Sequence, residues 1–167
     1  MPVVAIKELR AALPAKTRLL GVDHGEKTLG LALASHDLSI ATPLKTLKRT
    51  TFSENARELG KICKEYEVGG FLIGLPVHMN GDEGKRAESV RSFGHNLLRF
   101  KDILGFEPII CFWDERLSTS AMQRFLIEEA DVSRKRRGEV IDKLAATHIL
   151  QGALDFMKYN IDQGTDI

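Results

Sequence analysis

The sequence has few of the features that mark secreted or membrane proteins. It contains two cysteines in 167 residues, which are too few for a disulfide framework. Both fall in predicted regular elements, so Cys63 and Cys111 are interpreted as reduced core residues. No apolar run approaches the roughly 20 residues of a membrane span, and residues 1–18 lack the layout of a signal peptide. We therefore expect a cytoplasmic protein without a membrane partner.

The chain also lacks internal repeats, low-complexity linkers and an excess of either charge. One domain over residues 1–167 is expected, with an N-terminal extension at 1–17 and a core at 18–160, because a chain of this length buries roughly 70% of its unfolded surface. The net charge is only +1, but basic residues are clustered, and such clusters bind phosphate backbones when their cations share one face. The clusters are residues 134–137 and a looser group of Lys45, Lys48 and Arg49.

Hydrophobic patterning predicts the element order βββαβαβαα. The first three strand patterns are joined by short polar or glycine-containing connections, which favour antiparallel hairpins, whereas the last two alternate with helices. The five predicted strands are 18–23, 28–35, 39–48, 71–75 and 107–113. We therefore expect an α/β fold with a mixed sheet, in which three antiparallel strands are followed by two parallel strands and helices flank the sheet.

Helix boundaries are predicted from capping residues and glycines. Thr51 and Glu54 form a capping box at the start of one helix, and Gly69-Gly70 is expected to end it and to begin the fourth strand. The last helix is predicted from about Gly138 to Tyr159, after a loop that holds the basic run at 134–137. The other predicted helices lie within 3–13, from about 82 and from 118.

Three acidic residues lie where the predicted elements would direct their carboxylates at one point. Asp23 closes the first strand, Glu115 follows the fifth strand, and Asp142 lies on the polar edge of the last helix. Functional crevices in open α/β sheets lie at the carboxyl ends of strands, and grouped carboxylates bind hard cations such as Mg²⁺. The three acids together predict a magnesium-dependent nuclease.

Each acid taken alone has a plainer interpretation. Asp23 fits an ordinary hairpin turn nearly as well, and Asp142 fits better as a boundary position of an amphipathic helix. The pair Asp114-Glu115 is a stronger signal, because consecutive extended side chains diverge and one of them, expected to be Glu115, can face the metal. The loop at 74–84 fits either a phosphate cradle or a plain βα connection, and His78 is interpreted as a loop residue because hard cations prefer oxygen ligands.

Several cations near these acids are candidates for contacts with a nucleic-acid backbone. A basic run is usually a solvated loop, but beside a nuclease centre it can clamp a strand. The candidates are Lys27, Arg116, Arg134, Lys135, Arg136 and Arg137.

Ordered motifs of the chain resemble the YqgF family, also called RuvX, of the RNase H-like superfamily. The resemblance spans roughly residues 18–156 and lies in LGVDHGEK at 20–27, ATPL at 41–44, GLP at 74–76, MNG at 79–81, DERLST at 114–119, IDKLAA at 141–146 and ILQ at 149–151. It implies an RNase H-like fold and a hydrolase that cuts phosphodiester bonds by a two-metal mechanism with Mg²⁺ or Mn²⁺. The acidic triad of the family corresponds to Asp23, Glu115 and Asp142, with Asp23 as the bridging ligand.

The resemblance also indicates the substrate. Members are described as nucleases that mature the 5′ end of precursor 16S ribosomal RNA and as Holliday junction resolvases, so RNA is the expected partner and structured DNA the alternative. A resolvase would act as a homodimer, whereas the RNA nuclease is expected as a monomer or homodimer. Related resolvases carry a fourth acid where this chain has Ala145. Glu139, one turn before Asp142, is a candidate substitute, but the gap disfavours the junction. A non-catalytic nucleic-acid-binding module is the second alternative, and the presence of all three acids argues against it.

Overall fold

The computed structural model describes residues 2–76, 83–115 and 134–164, with side chains given for 143–159 in the last range. The described chain forms a five-stranded sheet that separates two hydrophobic cores. The helix predicted from Ser118 and the predicted loop residue His78 lie outside the described residues.

The strands and helices of the described residues follow the predicted order, with one short additional helix, α4. Their bounds are α1 Ile6–Ala12, β1 Arg18–His24, β2 Thr28–Ala34, β3 Ala41–Lys48, α2 Phe52–Tyr66, β4 Val68–Leu75, α3 Lys85–Arg99, α4 Lys101–Leu104, β5 Ile109–Asp114 and α5 Arg134–Gly164. The order across the sheet is β3-β2-β1-β4-β5. β1, β2 and β3 pair in antiparallel fashion, whereas β4 is parallel to both β1 and β5. The mixed sheet expected from the sequence is confirmed.

Two cores form because successive residues of a strand face opposite sides of the sheet. On one side, Phe71 and Ile73 of β4 pack with residues of α2 and α3. On the other side, which we call the α5 face, Leu72 packs with α1 and α5 through residues such as Leu9 and Leu150. β4 is buried along its whole length, as is usual for a parallel strand covered on both faces.

Helix α2 begins where its capping residues predict. The Oγ1 atom of Thr51 accepts a hydrogen bond from the amide of Glu54 at 3.2 Å, which confirms the N-cap. The helix ends at Glu67, whose left-handed backbone (φ 58°) forms the C-cap. The prediction that Gly69-Gly70 ends the helix was wrong, because both glycines lie inside β4, where neighbouring atoms leave no room for a Cβ.

Helix α5 begins at Arg134 rather than at about Gly138. The basic run at 134–137 therefore lies in the first turn of the helix, and its prediction as a loop was wrong. Arg and Lys are good helix formers, and one interior glycine costs only about 1 kcal/mol, so Gly138 does not interrupt the helix. Although α5 is 31 residues long, it is not apolar enough for a membrane span, and neither is any other helix in the described residues.

The residues before β1 cover the edge strand β5. Val3 forms an isolated parallel bridge with Ile110. The amide of Val4 donates to the Ile110 oxygen at 2.9 Å, and the Ile110 amide donates to the Pro2 oxygen at 2.7 Å. Leu9 of α1 is fully buried on the α5 face. This segment therefore satisfies backbone groups of β5 that an open edge would expose.

Candidate active site at the carboxyl ends of the strands

Asp23 lies at the carboxyl end of β1 and is directed to the α5 face. Two residues earlier on the same strand, Gly21 packs directly under α5, where an added Cβ would lie 2.9 Å from Leu150 Cβ and 3.3 Å from the Ala146 carbonyl oxygen. Because alternate residues of a strand share a face, Asp23 lies on this face as well, and it is partly buried there.

Glu115 directly follows β5 and reaches over the neighbouring strand. Cys111 and Trp113 of β5 are buried on the α5 face, and Glu115 continues that alternation. Its Oε1 atom lies 2.9 Å, and its Cγ atom 3.3 Å, from the position that a Cβ on Gly74 would take. Gly74 belongs to β4, the strand between β5 and β1. The Glu115 carboxylate therefore extends from β5 toward the strand that carries Asp23.

The surroundings of Glu115 disfavour its charged form. Burial raises the pKa of Glu115 above its ordinary value, the positive charge of Arg86 opposes that rise, and the charge of Asp114 adds to it. A partly buried carboxylate beside another acid is relieved by a nearby cation. The ionised form of Glu115 would therefore gain from a further positive charge at this end of the sheet.

The third predicted acid, Asp142, is described through its backbone only. It lies in α5 about one turn before Ala146, which packs over Gly21. In the other direction along α5, the Gln151 side chain accepts a hydrogen bond from the first residue of β3, at the opposite end of the sheet. The turn of α5 that contains Asp142 therefore extends toward the end of β1 where Asp23 lies.

The described side chains do not by themselves complete a metal site. Among them, no group of three or more His, Cys, Asp or Glu residues is placed to hold a metal ion. Asp23 and Glu115 supply two carboxylates on one face, and the sequence adds Asp142 as the third. Carboxylate oxygens are the donors that Mg²⁺ and Mn²⁺ prefer, so the donor set fits a hard divalent cation.

His24, the residue after Asp23, faces the opposite side of the sheet. It is only 4% exposed, and its ring centroid lies 4.8 Å from that of Phe93 in α3. Burial lowers the pKa of His24 to about 4, with smaller contributions from the charges of Arg49 and Arg86. His24 is therefore uncharged at neutral pH. Its ring packs against Phe93, so the end of β1 is in contact with the core beneath α3.

The predicted phosphate contacts are only partly described. Lys27 is exposed in the turn between β1 and β2, four residues after Asp23. Arg116 lies outside the described residues, and residues 134–137 are described as backbone in the first turn of α5. Of these cations, only Lys27 therefore has a side-chain environment that the structure gives.

Arg49 has a role that the sequence analysis missed, since it appeared there only within a loose basic group. Its Nη1 atom donates to the carbonyl oxygens of Gly25 at 2.6 Å and Glu26 at 3.0 Å. These bonds fasten the turn that follows Asp23. The partners are more than 20 residues apart in sequence, so no local pattern could have revealed the contact.

Arg86 is a second residue that the sequence analysis missed. It is exposed in the first turn of α3, and its charge acts on both His24 and Glu115. It therefore lies near the acidic end of the sheet. Its place near the start of a predicted helix, just after the glycine-containing sequence at 74–84, was a signal that could have identified it.

Comparisons with known proteins point to one family. The sequence model of RuvX, described as Holliday junction resolvase, matches residues 17–156. A protein of Rhodospirillum centenum named "Putative pre-16S rRNA nuclease" is 50% identical over 158 residues, which cover 95% of this chain and 84% of the relative. A protein of Paramagnetospirillum magneticum with the same name is 54% identical over 155 residues, which cover 93% and 96% of the two chains.

A solved structure supports the fold. The structure of T. thermophilus RuvC in complex with Holliday junction substrate matches with a TM-score of 0.51 and 11% identity, over 85% of this chain and 96% of that chain. This likeness concerns the fold alone, and it agrees with the expected mixed sheet flanked by helices.

Proposed function

The chain belongs to the RuvX family, and from that membership we propose that it is a metal-dependent nuclease that matures the 5′ end of precursor 16S ribosomal RNA. The observation that carries the proposal is the placement of Asp23 and Glu115 on one face and at one end of the sheet, with the Glu115 carboxylate over β4. Two carboxylates on one face and at one end of the sheet suit a hard cation better than they suit a surface turn or a helix cap.

We assign Asp23, Glu115 and Asp142 as catalytic residues whose carboxylates would hold the metal ions. Two Mg²⁺ ions, or Mn²⁺ in their place, would lower the pKa of the attacking water and stabilise charge on the leaving oxygen. The chain fits such ions because burial raises the pKa of Glu115, so that its ionised form gains from a nearby cation.

The other residues of the site bind and orient the nucleic acid. Lys27 and Arg86 lie at the acidic end of the sheet and are proposed to hold phosphates next to the bond that is cut, and Arg116 and residues 134–137 extend this contact. The oxygen of water bonds to phosphorus and the bond to the 3′ oxygen breaks. The water proton passes to solvent and the 3′ oxygen takes up a proton, which leaves a 5′-phosphate and a 3′-hydroxyl.

RNA ranks above four-way DNA junctions as the substrate. The two similar bacterial proteins carry names that specify pre-16S rRNA, whereas the RuvX description specifies the junction. Ala145 stands where related resolvases have a fourth acid, which disfavours the junction even though Glu139 is a candidate substitute. We propose a cytoplasmic location, since Cys63 and Cys111 are free and buried. We propose a monomer or homodimer as its oligomeric state.

Parallel cleavage assays test this proposal. A labelled 16S precursor leader and a labelled four-way DNA junction are each incubated with the wild-type protein and Asp23→Asn, in Mg²⁺, in Mn²⁺ and in chelator. We expect metal-dependent cutting of the RNA by wild type alone. Faster cutting of the junction would favour the resolvase, and binding of either substrate without cutting in any metal would favour a non-catalytic binding module.

A further inference from the structure

We propose that Gly74 is a positioning residue for Glu115: the missing side chain at this point of β4 leaves the space through which the Glu115 carboxylate reaches toward Asp23. This inference rests on the proposed function, in which both acids hold the same metal ions. It assigns a role to a glycine within a strand, a position where glycine is otherwise unfavourable.

The register of the sheet places Gly74 between the two acids. On one side, Gly74 is in register with Trp113 of β5, two residues before Glu115. On the other side, Ile73 is in register with Val22 of β1, one residue before Asp23. The strands that carry the acids are not neighbours, and adjacent strands lie about 4.8 Å apart. A carboxylate must therefore cross β4 for the two acids to share a cation.

The space that a side chain on Gly74 would occupy is filled by atoms of Glu115 and Ile149. A Cβ on Gly74 would lie 2.9 Å from Glu115 Oε1, 3.3 Å from Glu115 Cγ and 2.9 Å from Ile149 Cδ1 of α5. Contacts under 3.0 Å require a neighbour to move. Ile149 of α5 is only 5% exposed and lies in the core between α5 and the sheet. Glu115 is less buried and lies at the end of the sheet. The carboxylate is therefore the group that an added methyl displaces.

Gly70 shows the same crowding without an acid. It lies on the same strand and the same face, four residues earlier, and a Cβ there would lie 2.9 Å from the Ile109 oxygen and 2.9 Å from Leu13 Cδ2. The absence of a side chain at Gly70 therefore allows close packing of β4 against β5 and against Leu13 at the end of α1. The two glycines form a matched pair in which only Gly74 makes room for a carboxylate.

The test compares Gly74→Ala, Gly70→Ala, Glu115→Gln and the double variant Gly74→Ala/Glu115→Gln. Melting temperatures are measured in EDTA and then over a Mg²⁺ titration, which gives the concentration of Mg²⁺ at half of the stabilisation without any cleavage assay. We expect Gly74→Ala to raise that concentration about 10-fold or more, within the range for residues that orient metal ligands. Gly70→Ala should lower the melting temperature in EDTA and leave the Mg²⁺ requirement unchanged.

The double variant shows whether Gly74 acts through Glu115. If it does, Gly74→Ala adds nothing to the Mg²⁺ requirement in the Glu115→Gln background. The methyl group of Gly74→Ala would also contact Ile149 Cδ1. The variant Gly74→Ala/Ile149→Val removes that contact, because valine lacks the Cδ1 atom. This variant replaces Gly74→Ala in the test if Gly74→Ala does not fold. It should still show the weakened Mg²⁺ response.

The outcomes separate this inference from the proposed function. A raised Mg²⁺ requirement in Glu115→Gln with a normal one in Gly74→Ala overturns the role of Gly74 and leaves the metal site standing. An unchanged requirement in Glu115→Gln removes Glu115 from the metal site and overturns both. Equal effects of Gly74→Ala with and without Glu115 would show that the glycine acts on packing alone and would also overturn the inference.

Discussion

The guanidinium of Arg49, at the end of β3, is hydrogen-bonded to the carbonyl oxygen of Gly25 at 2.6 Å. A second bond from the same Nη1 atom reaches Glu26 at 3.0 Å, so one side chain holds two consecutive carbonyls of the turn after Asp23. Bonds from a charged donor are shorter and stronger than those between neutral groups. The turn directly after Asp23 is therefore held by Arg49, the residue that follows β3.

Replacing Arg49 with Met should loosen this turn. We expect a loss of about 1–2 kcal/mol in the free energy of unfolding, because two bonds to a charged donor, one partly buried and one exposed, are lost. We also expect a lower turnover rate. Urea unfolding and single-turnover cleavage measure the two effects. Arg57→Met, at an exposed position of α2, is the control for the lost charge. Equal losses in Arg49→Met and Arg57→Met would contradict the role of Arg49 in holding this turn.

Asn55 of α2 should contribute strongly to stability. It is 4% exposed, its Oδ1 accepts a bond from the Thr50 amide at 3.1 Å, and its Nδ2 donates to the Lys48 oxygen at 3.0 Å. Asn55→Ala leaves two backbone groups beside the end of β3 without these partners, and we expect a loss of about 2–3 kcal/mol. A loss below about 0.5 kcal/mol in urea unfolding would show that other groups or water replace the side chain.

Glu115→Gln should stabilise the protein when no metal is present. Because burial raises the pKa of Glu115 in the folded state above its ordinary value of 4.5, the stabilising contribution of the protonated form is full below pH 4.5 and is lost as the pH rises through the raised pKa. Glutamine does not ionise and avoids that loss.

The matching measurement is thermal unfolding in EDTA from pH 4 to pH 8. The melting temperature of Glu115→Gln should exceed that of wild type at pH 8, and the difference should shrink as the pH falls toward 4.5. Glu65→Gln, at an exposed position of α2, controls for the loss of one negative charge. A lower melting temperature of Glu115→Gln at pH 8 would mean that the carboxylate makes stabilising contacts in the metal-free protein.

Arg86 should contribute to binding of nucleic acid. Its charge lies near the acids, whereas Arg99 is exposed at the other end of the same helix, about 20 Å away along its axis. Arg86→Ala should weaken RNA binding and make the slope of log K against log salt less steep by about 0.7, the value for one phosphate contact on a single strand. Arg99→Ala should change neither quantity. A larger effect of Arg99→Ala than of Arg86→Ala on RNA binding would place the nucleic acid at the far end of α3.

Local signals in the sequence were sufficient for much of the fold. The capping pair Thr51 and Glu54 and the apolar runs of the strands depend on neighbouring residues, and the structure confirms them. The strand end at Asp23 and the position of Glu115 after β5 are of the same kind. Errors arose where local signals were ambiguous, because Gly69-Gly70 fits a helix end as well as a crowded strand, and residues 134–137 fit a loop as well as a first helical turn.

Other relationships at the site depend on the order of strands in the sheet. β4 lies between β1 and β5, so Gly74 lies between the strands of the two acids, and no spacing along the chain reveals this. The bonds of Arg49 to the β1–β2 turn and the closeness of Arg86 to Glu115 are likewise tertiary. The roles of Asp23, Glu115 and Asp142 as metal ligands remain the prediction on which the proposed mechanism depends.

The most direct test of that mechanism is single-turnover cleavage of the labelled 16S precursor leader in Mg²⁺ by wild type, Asp142→Asn and Asp155→Asn. Asp155 is exposed further along α5, so the two variants lose the same charge from the same helix. We expect a loss of more than about 100-fold for Asp142→Asn, which exceeds the effect of residues that only support metal ligands. We expect a rate near wild type for Asp155→Asn. Wild-type cleavage by Asp142→Asn, or equal losses in both variants, would contradict the three-carboxylate metal site.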